Sequence, residues 1–481
     1  MLSLILKQTN WSIIGAVFGF VIGFFIKIYI IDIVGLADWG KYVIAQTFSS
    51  FSETVLSIGI PFVIIKFVPG FIENNISKAS RLSSIFLKYA LLVGGFFITI
   101  IYFYSDLVNQ YVYNDISGLD WILFVMCIHV PISMLFGVVI SLYRSVLRIK
   151  EIVIYGTFIS VTLRAILTLI IFQFSDNIVH FIYVEIFTQI LVLFILLYLF
   201  NKREFSLFVK SDFKEVINDD ILVDYGKKMF FNSIIAFISG WALSFIISIT
   251  LPSEDVGAYN ILLSLAGLMT FLLINLNKVF APAISKLYQE SNFLELNRLY
   301  KKTTFFINIL TIPLAVIIVI FADEILELYT TDMLNYRQYL FFMLIGGVFS
   351  LAAGSSGTMM IMAGLEKENL LIQIVRATMI IILSLFLIPK FGMLIVVILY
   401  VSFMFLVNAS QLLYIYRFIK ISPFSRELII LLFITFFGMY FAVNQEYNFS
   451  TLHFIFIPII VYFLYFGLMF NSVIRLIREL R

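Results

Sequence analysis

Asp38-Trp39-Gly40-Lys41-Tyr42 and Asp255-Val256-Gly257-Ala258-Tyr259 stand 217 positions apart, and that offset persists along most of the chain. Phe20 and Gly23 fall on Phe237 and Gly240, Arg81-Leu82 falls on Arg298-Leu299, and Phe124 and Met126 fall on Phe341 and Met343. Asp106 meets Asp323, Gly137 meets Gly354, and Lys150-Glu151 meets Lys367-Glu368 without a net gap. A duplication this long describes one structural unit used twice.

Composition sets the solvent for that unit. Of 481 residues, 62% are hydrophobic and 13% charged, with 54 Phe and 25 Tyr, which is more apolar surface than one aqueous core can bury. Apolar runs of the ~20 residues that span a bilayer recur at roughly 11–34, 43–65, 82–104, 121–143, 152–174, 178–200, 226–250, 256–280, 304–322, 338–362, 370–388, 391–415, 427–443 and 452–470. The expected fold is therefore all-α, a polytopic membrane protein of about fourteen transmembrane helices, built as two parallel six-helix repeats plus two C-terminal helices. Six spans per period is an even number, so both copies enter the membrane from the same side. The runs are too long for the alternating strands of a barrel. The expected divisions are an N-terminal lobe at 1–200, a tethering linker at 201–225, a C-terminal lobe at 226–418, and two further helices with a tail at 419–481. Two lobes in a membrane imply a transporter with its path between them.

Lys and Arg crowd alternate connections, including the tail Arg475, Arg478 and Arg481, which puts both termini on the cytoplasmic side. The first run is too long for the apolar core of a signal peptide and stays in the mature chain. Cys127 is the only cysteine and excludes an intrachain disulfide, and a net charge of +3 speaks against a nucleic-acid partner. His129, His180 and His453 are too scattered to suggest a metal site. No serine-nucleophile elbow, phosphate loop or zinc-protease motif is present. The external connections, longest at about 105–120 and 323–337, are too short for a catalytic domain. No catalytic residue, metal or cofactor is expected, and the chain reads as a non-enzyme.

Charge inside the spans stands out, because it is costly there and by default functional. The set is Lys27, Glu53, Arg164, Glu185 and Arg376, with Asp32 and His180 near the outer edge and His129 deeper. Depth reckoned along the spans pairs Lys27 with Glu185 in the outer third and Glu53 with Arg164 near the midplane. Such pairs serve either structure or transport. Arg376 has no intramembrane carboxylate in its own lobe to pair with, and its structural alternative is snorkelling toward the cytoplasmic surface. At the repeat offset Lys27 maps to Ser244, Glu53 to Thr270, Arg164 to Ile381 and Glu185 to Ser402. Ion coupling is therefore expected in the first lobe, at Glu53, Glu185 or Asp32. The Asp-x-Gly-x-Tyr motif reads as a tight external turn whose acid caps the next helix, and Phe67 to Pro69 and Phe280 to Pro282 read as helix terminators.

With six, six and two helices, inside termini and the repeated Gly40-Lys-Tyr42 and Gly257-Ala-Tyr259 motifs, the chain resembles the multidrug/oligosaccharidyl-lipid/polysaccharide exporter superfamily, and within it the Wzx-type polysaccharide flippases. The resemblance implies alternating access and translocation of a polyprenyl (undecaprenyl)-pyrophosphate-linked oligosaccharide across the bacterial inner membrane for O-antigen or capsule synthesis. On that premise Arg376, Arg164 and Lys27 are the cations available to a pyrophosphate, Gln373 and Asn275 (with Asn232) are candidates along a glycan path, and the polyprenyl tail stays in the lipid bilayer. A polysaccharide polymerase and a chain-length regulator are the implied partners. A drug or cation antiporter of the same superfamily, using Glu53 and Glu185, and a lipid II flippase are the alternatives. An oligosaccharide polymerase or ligase is disfavoured by the short connections.

Overall fold

The computed structural model describes residues 2–443 and 453–470, and these form an all-helical protein with no strand among them. Among the described residues twelve helices are long and apolar enough to cross a membrane, and Phe456–Leu468 is a shorter apolar helix. The chain is a multi-pass membrane protein. The first of the twelve, Ile13–Leu56, has 44 residues. At 1.5 Å per residue it is roughly twice the thickness of a hydrocarbon core, so it supplies two of the fourteen expected crossings. The expected tail cations Arg475, Arg478 and Arg481 lie outside the described residues, as does the connection 444–452.

The helices used below are α1 (Leu2–Leu56), α2 (Ile60–Asn74), α3 (Ile76–Val112), α4 (Leu119–Ser145), α5 (Ile149–Ile171, with a π-helical stretch at Ile152–Ile159) and α6 (Ile178–Arg203). They continue with α7 (Lys214–Ile217), α8 (Asp220–Thr250), α9 (Ser253–Gln289), α10 (Phe293–Ile320), α11 (Arg337–Ala353), α12 (Ser356–Met362), α13 (Glu366–Phe391), α14 (Met393–Ile419), α15 (Arg426–Val443) and α16 (His453–Leu468). Two compact units result, Met1–Gly257 and Ala258–Arg481.

In the first unit α4 is the central helix, packed on α1, α2, α3 and α6. Ile64, Val68, Val139, Leu142 and Leu196 form a fully buried core among α2, α4 and α6. α8 packs against α1 and α2, so the first unit runs on to Gly257. The connection before it is a docked strap rather than a loose tether. Leu207 is fully buried, Ser84 Oγ donates to the Val209 carbonyl at 3.0 Å, and Lys88 Nζ donates to Ser211 Oγ at 2.8 Å. Lys78 and Arg81 pair with Asp219 and Glu215 at 3.1 and 2.8 Å, so one face of α3 takes the strap along its length.

In the second unit α10 is the most enclosed helix, and α11, α15 and α16 pack on it. The two extra helices are thus part of this unit's packing. Outward faces are rich in Phe103, Phe194, Phe433 and Phe463, each at least 66% exposed, as lipid contact requires.

Two local expectations are corrected. The motif at 38–42 is not a turn: the break comes earlier, at Gly35 (φ 79°, ψ 171°), and Asp38 through Tyr42 are already helical. Gly40 is needed for another reason, since a Cβ there would run into the Ser253 carbonyl. In the second copy a Cβ on Gly257 would sit 2.6 Å from the Leu36 carbonyl. The two copies of the motif thus let backbones touch, where any side chain would hold them apart. The acids also part ways, Asp38 pairing with Lys41 at 2.9 Å while Asp255 lies in the first turn of α9, where a negative charge suits the helix dipole. The second correction concerns Pro69 and Pro282, which lie inside α2 and α9 and terminate neither.

Candidate functional site

Arg164 and Glu185 lie on consecutive antiparallel helices, seven residues before the end of α5 and seven after the start of α6. Counted from their shared connection they are at one depth, about 10 Å in at 1.5 Å per residue. They meet accordingly, with Arg164 Nη1 donating to Glu185 Oε1 at 2.8 Å. The other carboxylate oxygen accepts from the Tyr42 hydroxyl at 2.9 Å, and Gln46 Nε2 donates to that hydroxyl at 3.1 Å. Both oxygens of Glu185, a side chain only 12% exposed, are therefore engaged.

The cluster extends along α1. Trp39 stacks on Tyr42 with ring centroids 4.8 Å apart, and Lys27 Nζ lies over the Trp39 ring at 5.4 Å. Lys27 is thus on an indole face instead of on Glu185, and the expected pairs Lys27 with Glu185 and Glu53 with Arg164 are replaced by one pair, Arg164 with Glu185. Glu53 is half-buried, with no hydrogen-bonding or ion-pairing side chain among the described residues. Beside the cluster, His129 Nδ1 shares a hydrogen bond with Ser133 Oγ at 2.9 Å, and Gln189 Nε2 donates to the same hydroxyl at 3.3 Å. Asp32 is exposed.

The second unit holds a cation of a different kind. Arg376, half-buried on α13, donates from Nη1 to Gln373 Oε1 at 3.3 Å. The phenols of Tyr259, on α9, and Tyr400, on α14, lie near it. Where the first unit answers its arginine with a carboxylate, the repeat-related position of Glu185 is Ser402. Arg376 presents a guanidinium beside the Gln373 amide. It can bind an anion, and its fork geometry suits phosphate oxygens. Asn275, also proposed from the sequence, is buried on α9 and donates to the Phe271 carbonyl of its own helix at 2.9 Å.

A separate neutral network lies where the helix breaks between α11 and α12 at Gly354 (φ 60°). Ser356 Oγ donates to Gln411 Oε1 at 2.7 Å, and Gln411 Nε2 donates to Asn369 Oδ1 at 2.9 Å. It satisfies buried polar groups at membrane depth, where an unpaired one is expensive.

Sequence reasoning missed Trp39, Tyr42, Tyr259 and Tyr400. The signal was present, since Tyr42 and Tyr259 are repeat equivalents, and so are Tyr183 and Tyr400. What concealed it was that the motif has a sufficient architectural reason in its glycines.

The family model described as "Polysaccharide biosynthesis protein" matches residues 33–336. No curated protein matches the chain by sequence. Among solved structures, the lipid II flippase MurJ in an inward closed conformation is similar at a TM-score of 0.70 and 17% identity, covering 97% of this chain and 99% of that one. An outward-facing multidrug resistance MATE family transporter of the MOP superfamily is similar at 0.56 and 14%, covering 87% and 95%. A MOP superfamily transporter from Pyrococcus furiosus, described as having a binding pocket of reverse polarity, is similar at 0.55 and 14%, also covering 87% and 95%. The shared fold is that of the MOP transporters.

Proposed function

The chain belongs to the polysaccharide biosynthesis protein family, and from that premise we propose that it is a flippase. It moves a polyprenyl (undecaprenyl)-pyrophosphate-linked oligosaccharide from the cytoplasmic to the outer leaflet of a bacterial inner membrane by alternating access, for surface polysaccharide assembly. The observation that carries the reading is Arg376, a guanidinium held in an apolar span beside an amide and two phenols. A cation at that depth is costly and by default functional, and the fork of a guanidinium matches phosphate oxygens. Arg376 and Gln373 take the pyrophosphate, with the Tyr259 and Tyr400 hydroxyls as further donors. The lipid tail stays in the bilayer, and no covalent bond is made or broken.

Arg164 and Lys27 have reduced roles in this reading. Arg164 is committed to Glu185, so it meets substrate only when Glu185 is protonated or changes partner, and Lys27 on the Trp39 ring is a second transient contact. Glu185 and Glu53 are the ion-coupling candidates, and Asp32, exposed near the outer edge, is the weakest of the three. A polymerase and a chain-length regulator act on the delivered unit.

Glu53 favours a second reading, exchange of a drug or cation, because a half-buried carboxylate without a described side-chain partner is the group an antiporter protonates. The experiment that separates the two is the sidedness of lipid-linked oligosaccharide in cells depleted of the protein. Oligosaccharide trapped on the cytoplasmic leaflet with drug tolerance unchanged supports the flippase. Normal export with altered drug or cation tolerance refutes it and moves attention to Glu53. Trapped lipid II instead of oligosaccharide assigns the same fold to peptidoglycan synthesis.

A further inference from the structure

The start of α4, the 172–177 connection with the start of α6, and the Asp38 to Lys41 stretch of α1 enclose an open cleft of about 580 Å3 in the first unit. The positive-inside pattern places this end outside the cytoplasm. The cleft differs in chemistry from the apolar grooves elsewhere in the protein. Its lining includes the Trp121 indole, 50% exposed, the Asp176 carboxylate, the Asn177 amide and the Ser175 hydroxyl, over a floor of Ile122 and Val179.

Charge argues against an anion or metal as its occupant. Lys41 is answered by Asp38 at 2.9 Å, so that wall carries no net charge. Among the described residues no cluster of three His, Cys, Asp or Glu is suited to a metal. The connection is braced from within. Ser175 Oγ and His180 Nδ1 are 2.8 Å apart, the Asn177 N–H donates to Ser175 Oγ at 3.3 Å, and Asn177 Oδ1 accepts from the Val179 N–H at 2.9 Å. This leaves the Asn177 Nδ2 donors and both Asp176 oxygens unengaged among the described residues. A sugar ring has the matching surface, with C–H bonds on one face to stack on an indole and hydroxyls around its rim to meet a carboxylate and an amide.

We propose that this cleft is a saccharide subsite on the outer face of the first unit, taking one or two rings of a hydroxyl-rich glycan. Trp121 is the stacking platform, and Asp176 and Asn177 are the hydrogen-bonding pair. The proposal rests on the flippase reading for its physiological ligand, because a glycan leaving on this side meets the cleft. A weak site suits release, with a dissociation constant on the order of 1 mM.

The test uses the full-length protein in lipid nanodiscs. The probe is the soluble oligosaccharide freed by mild acid from the host's own polyprenyl-linked pool, titrated by calorimetry with thermal unfolding followed in parallel. Saturable binding is expected. Trp121→Ala and Asp176→Asn each weaken it at least tenfold, whereas Trp121→Phe, which keeps an aromatic face, weakens it less. Arg376→Ala binds like the parent, which separates this site from the transport reading. That variant failing to export while still binding sugar leaves the cleft assignment intact. No saturable binding, or equal binding by both the Trp121→Ala and Asp176→Asn proteins, overturns it. So does calcium chloride producing a saturable signal that the sugar does not. If Trp121→Ala fails to fold, Asp176→Asn decides.

Discussion

Arg164 and Arg376 are the arginines at membrane depth in the two units, and each lies by the tyrosine of its own copy of the repeated motif. Arg164 is closed by Glu185 at 2.8 Å, with Tyr42 holding the second oxygen, whereas Arg376 faces Gln373, Tyr259 and Tyr400. One backbone plan therefore carries an arginine ion-paired to a carboxylate in one unit and an arginine hydrogen-bonded to an amide in the other. Duplication kept the order of helices along the chain, while the ionisable positions diverged, as at Glu185 and its equivalent Ser402.

The comparison breaks most readily at the ion pair. Arg164→Ala strands a mostly buried carboxylate, and losing one partner of such a pair costs about 3 kcal/mol. A clear fall in the thermal unfolding midpoint is expected, with much of it recovered in Arg164→Ala combined with Glu185→Gln. An unchanged midpoint in the single variant means the pair is solvated and the two arginines are equivalent after all.

Arg376→Ala sharpens the contrast from the other side. It leaves the unfolding midpoint near the parent value and lowers oligosaccharide export ten- to a hundredfold, since a hydrogen bond to a charged group is worth about 1.5–3 kcal/mol. Arg376→Lys falls between, because an ammonium lacks the planar fork. Export at the parental level in Arg376→Ala removes the central element of the proposed mechanism.

The two tyrosines come next in size. Tyr42→Phe removes a hydrogen bond to a carboxylate and lowers stability by about 1.5 kcal/mol, read by denaturation. Tyr259→Phe is expected to lower export severalfold with little change in stability. The same phenotype in both variants would show that the tyrosines serve one role.

The smallest effect concerns the breaks in the helices. After Leu56 the first copy is interrupted, with Gly59 at φ 74°, whereas the repeat-related residue Leu276 lies inside the unbroken α9. Leu276→Gly is expected to cost about 1 kcal/mol from helix propensity without producing the break, because the first copy's kink is also held by Tyr89 Oη donating to the Leu56 carbonyl at 3.0 Å. Increased proteolysis near 276 in that variant would show that glycine alone makes the difference.

The site was only partly legible beforehand. Arg164, Glu185 and Arg376 stood out because charge is rare in apolar runs, but their partners did not. Depth reckoned span by span put Arg164 and Glu185 at different levels, whereas counting from their shared connection puts them together. The motif tyrosines were hidden by glycines that had an architectural role of their own. Tyr400 was one of 25 Tyr beside 54 Phe, and Trp39 lay within the motif itself.

By itself the sequence determined the solvent, the helical class, the duplication and its parallel sense, because composition, run length and period are properties of the chain that lipid reads directly. Only the tertiary structure decided that Arg164 pairs with Glu185, where the helices bend, and that the 201–225 strap is docked on α3. Those outcomes depend on which side chains face one another across different helices. Rotation of a helix about its axis by a single residue, about 100°, changes every such pairing and leaves the hydropathy of the span untouched.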